Sequence, residues 1–284
     1  MALSRRFSTT TIPVVVSLLA WLFVGISAPW QSLTENSSSA VVVVATVWSW
    51  LLWTTAVIAL LVPSPLSNTA LHAITPLAII CALVALDPLA VFGSVVAAIV
   101  VHSSVCVDRM VQGGAYGLEQ RFALRTPLPY MAPAALAWSL LASTVIGGSL
   151  LVAAEQWVLG VPVLAIGLFA AWKIPLRLHR LSRRWLVIVP AGVVIHDHLV
   201  LAETIMTPRN KIASVSIVDA TADNADFTGG VLGPRLAVEL RDADKVVLSH
   251  ITAKTLGTSQ ALHVKTYAVA PRRLHAVRTL LTNS

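Results

Sequence analysis

RLSRRWLVIVPAGVVIHDHLVLAE, residues 180–203, divides the chain. Before it lie about 170 residues dominated by long apolar runs. After Trp185 the pattern changes. WLVIVP is a short apolar run ended by Pro190, Ala191-Gly192 makes a turn, GVVIHD follows, and a second turn near Asp197-His198 leads to LVLAE. Short β-branched runs separated by turn residues are the signature of strands, whereas apolar runs near 20 residues are that of membrane-crossing helices. The segment therefore predicts a change of fold class at one basic turn.

Composition agrees. Of 284 residues, 56% are hydrophobic and 12% charged, against about 25% charged in a typical soluble domain. Residues 1–170 carry Arg5, Arg6, Arg109, Arg121 and Arg125 against Glu35, Asp87, Asp108, Glu119 and Glu155, a net charge of zero. The whole +7 thus lies in residues 171–284. Basic residues clustered beside a span point to an anionic inner leaflet rather than to nucleic acid. The flank-free stretch 185–270 is close to neutral, which argues further against nucleic acid. Cys81 and Cys106 both fall in apolar runs and do not make a disulfide framework.

Six segments are long enough to cross a bilayer, where each backbone group must bond within its own helix. They are about 11–29, 40–62, 68–86, 88–107, 131–154 and 158–175. The first follows two arginines, as a signal peptide would, but its length and Pro29 point to a retained span. Lys and Arg favour the cytoplasmic side. Arg5 and Arg6, then Arg109, Arg121 and Arg125, then Lys173, Arg177, Arg180, Arg183 and Arg184 fall on one side of six spans, so both termini are expected in the cytoplasm of a plasma-membrane protein. Ser139, Ser143 and Gly147 form a small-residue stripe, expected to be a helix-packing seam.

Beyond Trp185, IASVSIVDA alternates with period two, and RLAVELRD, KVVLSH and KTYAVA are three more strand candidates. Pro271 opens PRRLHAVRTLL, an amphipathic helix. Seven antiparallel strands and a terminal helix describe a small β-barrel plugged at one end. The expected organisation is a helical polytopic membrane domain of about six spans (1–175), a basic juxtamembrane segment (176–184) and a cytoplasmic barrel domain (185–284). Residues 183–217, with Arg209, Lys211, Ile212 and Val215 in a basic–spacer–Ile-x-x-Val strand, resemble the opening of bacterial pleckstrin-homology-like (PH-like) domains that follow membrane spans. The chain as a whole resembles actinobacterial integral membrane proteins ending in such a domain. The resemblance implies a PH-like barrel and transfers no ligand.

Chemistry-bearing patterns are few. No GxSxG, HExxH or Walker A sequence occurs, and no Asp, Glu, Lys or Arg lies mid-span, which weighs against ion coupling. If 68–86 and 88–107 fold back at Asp87-Pro88, His72 meets His102, with Cys106 one turn beyond. Such a set suits a metal, and the two imidazoles alone suit haem. The alternative is two neutral histidines bonded to nearby backbone, favoured because no carboxylate stands behind them; no cofactor is expected. His196 and His198 flank Asp197 on one strand face without a third ligand nearby. Lys173, Arg177, Arg180, Arg183 and Arg184 are expected at the membrane surface. The acidic loop 218–235, with Asp219, Asp223 and Asp226, is the expected partner-binding segment. The functional expectation is a non-enzymatic adaptor or assembly role in the cell envelope, with a protein partner taken on an edge strand or on this loop. The alternatives are a small-molecule or lipid transporter regulated by its cytoplasmic domain, and a haem or metal enzyme built on His72 and His102.

Overall fold

The computed structural model describes residues 2–219 and 225–282. It divides into two compact units. One comprises residues 1–113 and 134–179; the other comprises 114–133 and 180–284. The chain therefore passes between units three times.

The first unit is helical: α1 (Ala2–Ser27), α2 (Trp30–Thr34), α3 (Ser39–Leu61), α4 (Pro65–Val84), α5 (Pro88–His102), α6 (Ser104–Gln112), α7 (Leu128–Ala142), α8 (Gly148–Ala153) and α9 (Trp157–Ser182). The ends of α7 and α9 extend into the second unit. Among the described residues, five helical stretches are long and apolar enough to cross a membrane. The fourth sequence segment, expected as a span or as half of a re-entrant hairpin, is the pair α5–α6, bent by 62°. Ser103 causes the break. Its backbone is extended, and its hydroxyl accepts from Cys106 N, capping α6. An N-cap residue of this kind leaves the helical conformation while satisfying one orphan N–H. The Asp87-Pro88 turn forms as expected, with Asp87 Oδ1 accepting from Leu89 N and Ala90 N, both at 3.0 Å.

Two sets of contacts fix the ends of the bundle. At one end, Ser27 at the close of α1 hydrogen-bonds Asp87 at the start of α5. At the other, Arg109 Nη1 on α6 donates to Leu60 O at the close of α3 (3.1 Å). Gly113 packs so tightly on the Pro63 backbone that a Cβ would lie 2.1 Å from its oxygen. Thr69 Oγ1 meets His179 Nδ1 at 2.9 Å, tying the start of α4 to the close of α9.

The second unit is built on sheets. Its strands are β1 (Gln120–Ala123), β2 (Arg184–Val189), β3 (Gly192–Asp197), β4 (Ile205–Pro208), β5 (Ile212–Val218), β6 (Ala225–Asp226), β7 (Arg235–Val247) and β8 (Ala261–Val269). Its helices are α10 (His250–Leu256) and α11 (Leu274–Thr282). Among the described residues the strands form two four-stranded sheets, ordered β1-β2-β3-β4 and β5-β7-β8-β6. The first is antiparallel throughout; in the second, β6 joins β8 in parallel. Leu186, Ile195, Leu236, Tyr267 and Val277 of α11 share one buried core.

Several strand expectations are corrected here. LVLAE is a turn with one bridge, Leu201–Leu248, because Asp197 Oδ1 accepts from Leu199 N and tightens the chain. RLAVELRD and KVVLSH are one strand, β7, whose register against β8 slips between Glu239 and Asp244. The charged residues of that bulge look like a turn in sequence. The largest departure is β1. Residues 120–123 read as a basic loop between spans, yet they pair with β2 from Gln120–Ile188 to Ala123–Trp185. Phe122 and Leu124 enter the core.

Candidate functional site

The basic segment does not behave as one surface. Lys173, Arg177, Arg180 and Arg183 are exposed, on α9 and just beyond it, and Lys173 Nζ sits over the Trp172 ring at 4.1 Å. Arg184 departs from the expected membrane-surface role. It opens β2, and its side chain is 1% exposed. Nε donates to Asp197 Oδ1 (2.8 Å) and Nη2 to Asp197 Oδ2 (2.7 Å), a bidentate pair whose carboxylate is fully buried. Nη1 donates to Arg125 O (2.9 Å) and Nη2 to Thr228 O (3.2 Å). A guanidinium taken out of water needs such a set of acceptors.

The same economy organises the glycine-rich loop 229–234. Arg125 Nη1 donates to Leu232 O (3.0 Å), and its Nη2 to Pro234 O. Arg235 Nη2 donates to Val231 O (2.9 Å), while its Nη1 pairs with Asp226 Oδ2 at 3.0 Å. Asp226 Oδ1 accepts from Thr228 N (2.7 Å). Asp226, expected to meet a partner, thus holds its own loop. Asp219 is exposed at the end of β5, and Asp223 lies outside the described residues. Burial, followed by repulsion from Arg235, holds the Arg125 pKa below its ordinary value.

His72 and His102 do meet, with ring centroids 4.2 Å apart and planes at 87°. Each Nδ1 bonds the carbonyl four residues earlier, Asn68 O at 2.7 Å and Ala98 O at 2.8 Å. Rings in edge contact leave no space for a haem plane between them. Among the described residues, no group of three His, Cys, Asp or Glu side chains is arranged to hold a metal ion.

Across the first sheet a row of flat groups forms. Ala123, Trp185 and His196 are register partners on β1, β2 and β3. His196 stacks on Trp185 at 4.8 Å and 17°, His198 meets His196 edge-on at 4.2 Å, and Arg121 lies over Trp185 at 5.4 Å. Burial lowers the His196 pKa to about 4, helped by the nearby His198, Arg183 and Arg121 and opposed by Asp197. His196 is therefore neutral at pH 7. Its stack with Trp185 is a pairing of uncharged rings.

The second sheet offers a different feature. Among the described residues β5, against which α11 packs, ends the strand order and pairs with β7, with an irregularity in register between Ile212 and Ser214. Its seven residues, IASVSIV, contain no charge and no proline, and Ala213, Ser214 and Ser216 are exposed. Sheet edges are ordinarily blunted by charge, proline or brevity. The alternation of this strand was legible in the sequence; its place at an edge was not.

In the helical unit, Ser143 and Gly147 do not form the expected seam. Residues Ser143–Gly147 are a π turn, and a Cβ on Gly147 would meet nothing within 4 Å. The seam is made instead by Gly148 against Leu164, Gly160 against Val152 and Gly167 against Thr144. Ser143 and Gly147 face an open cleft of about 600 Å³ that they share with Ser37, Ser38, Val41 and Leu151. Two units follow from these observations, one apolar and helical, the other a pair of sheets completed by β1, which lies in the chain between α6 and α7. Comparison with protein-family models, curated proteins and solved structures gave no match.

Proposed function

We propose that the protein is a multi-pass plasma-membrane protein with both termini in the cytoplasm, and that its second unit is a PH-like interaction module serving as a non-enzymatic adaptor in the cell envelope. The contacts at the two bundle ends support six crossings. Ser27 and Asp87 share one end, while Leu60, Pro63, Arg109 and Gly113 share the other, so α5–α6 returns the chain across the same thickness as α4. The exposed Lys173, Arg177, Arg180 and Arg183 suit an anionic inner leaflet, at about 1 kcal/mol each near its surface. Strands β2–β8 followed by α11 suit a PH-like domain, with β1 as an eighth strand supplied from the membrane half.

The observation that carries the adaptor reading is the outer edge of β5 beyond its irregularity at Ala213, where Ser214–Val218 carry no charge and no proline. A partner segment in extended conformation would add a strand there, gaining main-chain hydrogen bonds along Ser214–Val218. The test is recovery of partners by the C-terminally tagged full chain, taken from native membranes in mild detergent, beside the double variant Ala213→Lys/Ser216→Lys. A partner bound by the wild type and lost from a normally folded variant supports the reading. The same partner on both, or none on either, overturns it.

The open cleft at the π turn favours a second reading, a transporter of small amphiphiles. Its volume is in the range of small-molecule pockets, and it combines hydroxyls with apolar walls. π turns within α-helices recur at functional sites.

A further inference from the structure

Four tryptophans gather in the helical unit. Trp21 Nε1 on α1 donates to Trp53 O on α3 (3.1 Å), and Trp53 Nε1 donates back to Trp21 O (3.0 Å). Each indole thereby satisfies itself on the other helix. Trp30, which opens α2, meets Trp50 edge-on at 5.2 Å, and Trp50 meets Trp53 edge-on at 5.5 Å. Trp30 is 5% exposed, and its indole N–H has no hydrogen-bond partner. A buried donor left unpaired is costly and calls for an explanation.

Trp30 lines a partly open cavity of about 70 Å³, together with Trp21, Trp53, Ser49, Leu77 and Cys81. Ser49, Trp53, Leu77 and Cys81 are only half-buried, so the cavity opens between α3 and α4. The volume is about half that of the ~150 Å³ cavity known to admit benzene. A ring does not fit, whereas a slender group does. Water needs two to four polar partners, and with the Trp21 and Trp53 donors already used the walls offer little beyond Trp30, Ser49 and Cys81. The chemistry is that of one N–H donor in an apolar, narrow slot. Its complement is a carbonyl oxygen on a hydrocarbon chain. The depth also fits. Trp30 lies just beyond the end of α1 at Ser27, and Val24 and Cys81 each stand three residues before the ends of their helices, Ser27 and Val84, while Ser49 and Trp53 carry the slot toward the middle of α3, so its mouth at Trp30 lies where a span leaves the hydrocarbon. Acyl ester groups of lipids lie in that layer.

We infer that this cavity is a lipid site: an acyl ester enters between α3 and α4 and its carbonyl accepts the Trp30 indole N–H. The inference rests on the helices lying in a bilayer and is independent of the adaptor role. The test uses the full chain with ¹⁵N-labelled tryptophan in nanodiscs, its Trp30 indole resonance assigned by Trp30→Phe, a change that keeps an aromatic ring and removes the donor. Nanodiscs of diester phosphatidylglycerol are compared with nanodiscs of its diether analogue, which has no carbonyl. The expected result is an upfield shift of the Trp30 indole proton in the diether bilayer, larger than that of any other indole. Doping the diether discs with a diacylglycerol separates the sources. Return of the resonance assigns the site to acyl esters in general, and failure to return restricts it to the phospholipid. An unchanged Trp30 resonance in diester and diether discs, or its rapid exchange with D₂O in diester discs, overturns the proposal. Should Trp30→Phe fail to fold, the Trp30 indole is assigned in the wild type by through-space contacts to its own backbone amide, and the same outcomes decide.

Discussion

Arg183 and Arg184 are neighbours of the same type, yet they should respond in opposite ways to the same substitution. Arg183 is exposed, and Arg183→Met should alter stability by no more than about 0.5 kcal/mol. Arg184→Met removes the partner of a fully buried carboxylate and leaves Thr228 O and Arg125 O without their donor. Breaking a buried pair from one side costs about 3–5 kcal/mol. With a urea slope of about 2 kcal/mol/M, the midpoint for the second unit should fall by about 1.5–2.5 M. Pulse proteolysis of the full chain in nanodiscs, read through a C-terminal tag, measures that midpoint without isolating the unit. The double variant Arg184→Met/Asp197→Leu, which removes both charges, should recover much of the loss. Equal, small shifts for Arg183→Met and Arg184→Met would falsify the buried-pair account and return Arg184 to the membrane surface.

Residues 180–284 expressed alone should be insoluble, because they lack Phe122 and Leu124 of the core and expose the full edge of β2. Losing one buried Phe costs about 3–5 kcal/mol and one Leu about 2–5, against a whole-domain stability of about 5–15 kcal/mol. Joining residues 114–133 to that fragment by a flexible linker should restore a monomer with dispersed amide resonances, read by size exclusion and NMR. The second unit should also lose stability in mild acid. The folded His196 pKa of about 4 lies below its ordinary value of 6.5, so the neutral form stabilises the fold above pH 6.5 and the gain disappears as pH falls toward 4. His196→Phe, which keeps a ring on Trp185, should flatten the urea midpoint over that window. Tyr267, whose pKa burial raises to about 12, shares a buried hydrogen bond of 3.0 Å with Thr207. Tyr267→Phe strands the Thr207 hydroxyl and should cost about 1–3 kcal/mol in the same assay.

What the sequence made legible followed from strong local periodicity. Long apolar runs, the Asp87-Pro88 turn, the start of the sheets at Trp185 and the amphipathic α11 each carry their signal within a few residues. What it concealed depended on distant partners. The run Gln120–Leu124 is too short to announce a strand, and only pairing with β2, some sixty residues on, makes it one. Arg125 and Arg184 looked like surface charges because a basic side chain carries no mark of the acceptors awaiting it. Their acceptors lie on the loop 228–234 and on Asp197. The meeting of His72 and His102 was readable from one turn and one helical period. The small-residue stripe misled because a π turn shifts the helix face at Ser143, turning Gly147 to the cleft and seating Gly148.

The placement of β1 also sets a timetable for the ribosome. Ala123 is made long before Trp185, its register partner, and α7, α8 and α9 lie between them in the chain. At about 5–20 residues per second, the wait is about 3–12 s. During that interval Phe122 and Leu124 have no strand to pair with and no core to enter. The wait ends only when the helical hairpin has brought the growing chain back to the side it left, since otherwise β2 emerges across the bilayer from β1. Closure of the first sheet thus depends on β1 and β2 ending on the same side: a chain in which they did not would leave the edge of β2 unpaired and Phe122 and Leu124 outside the core.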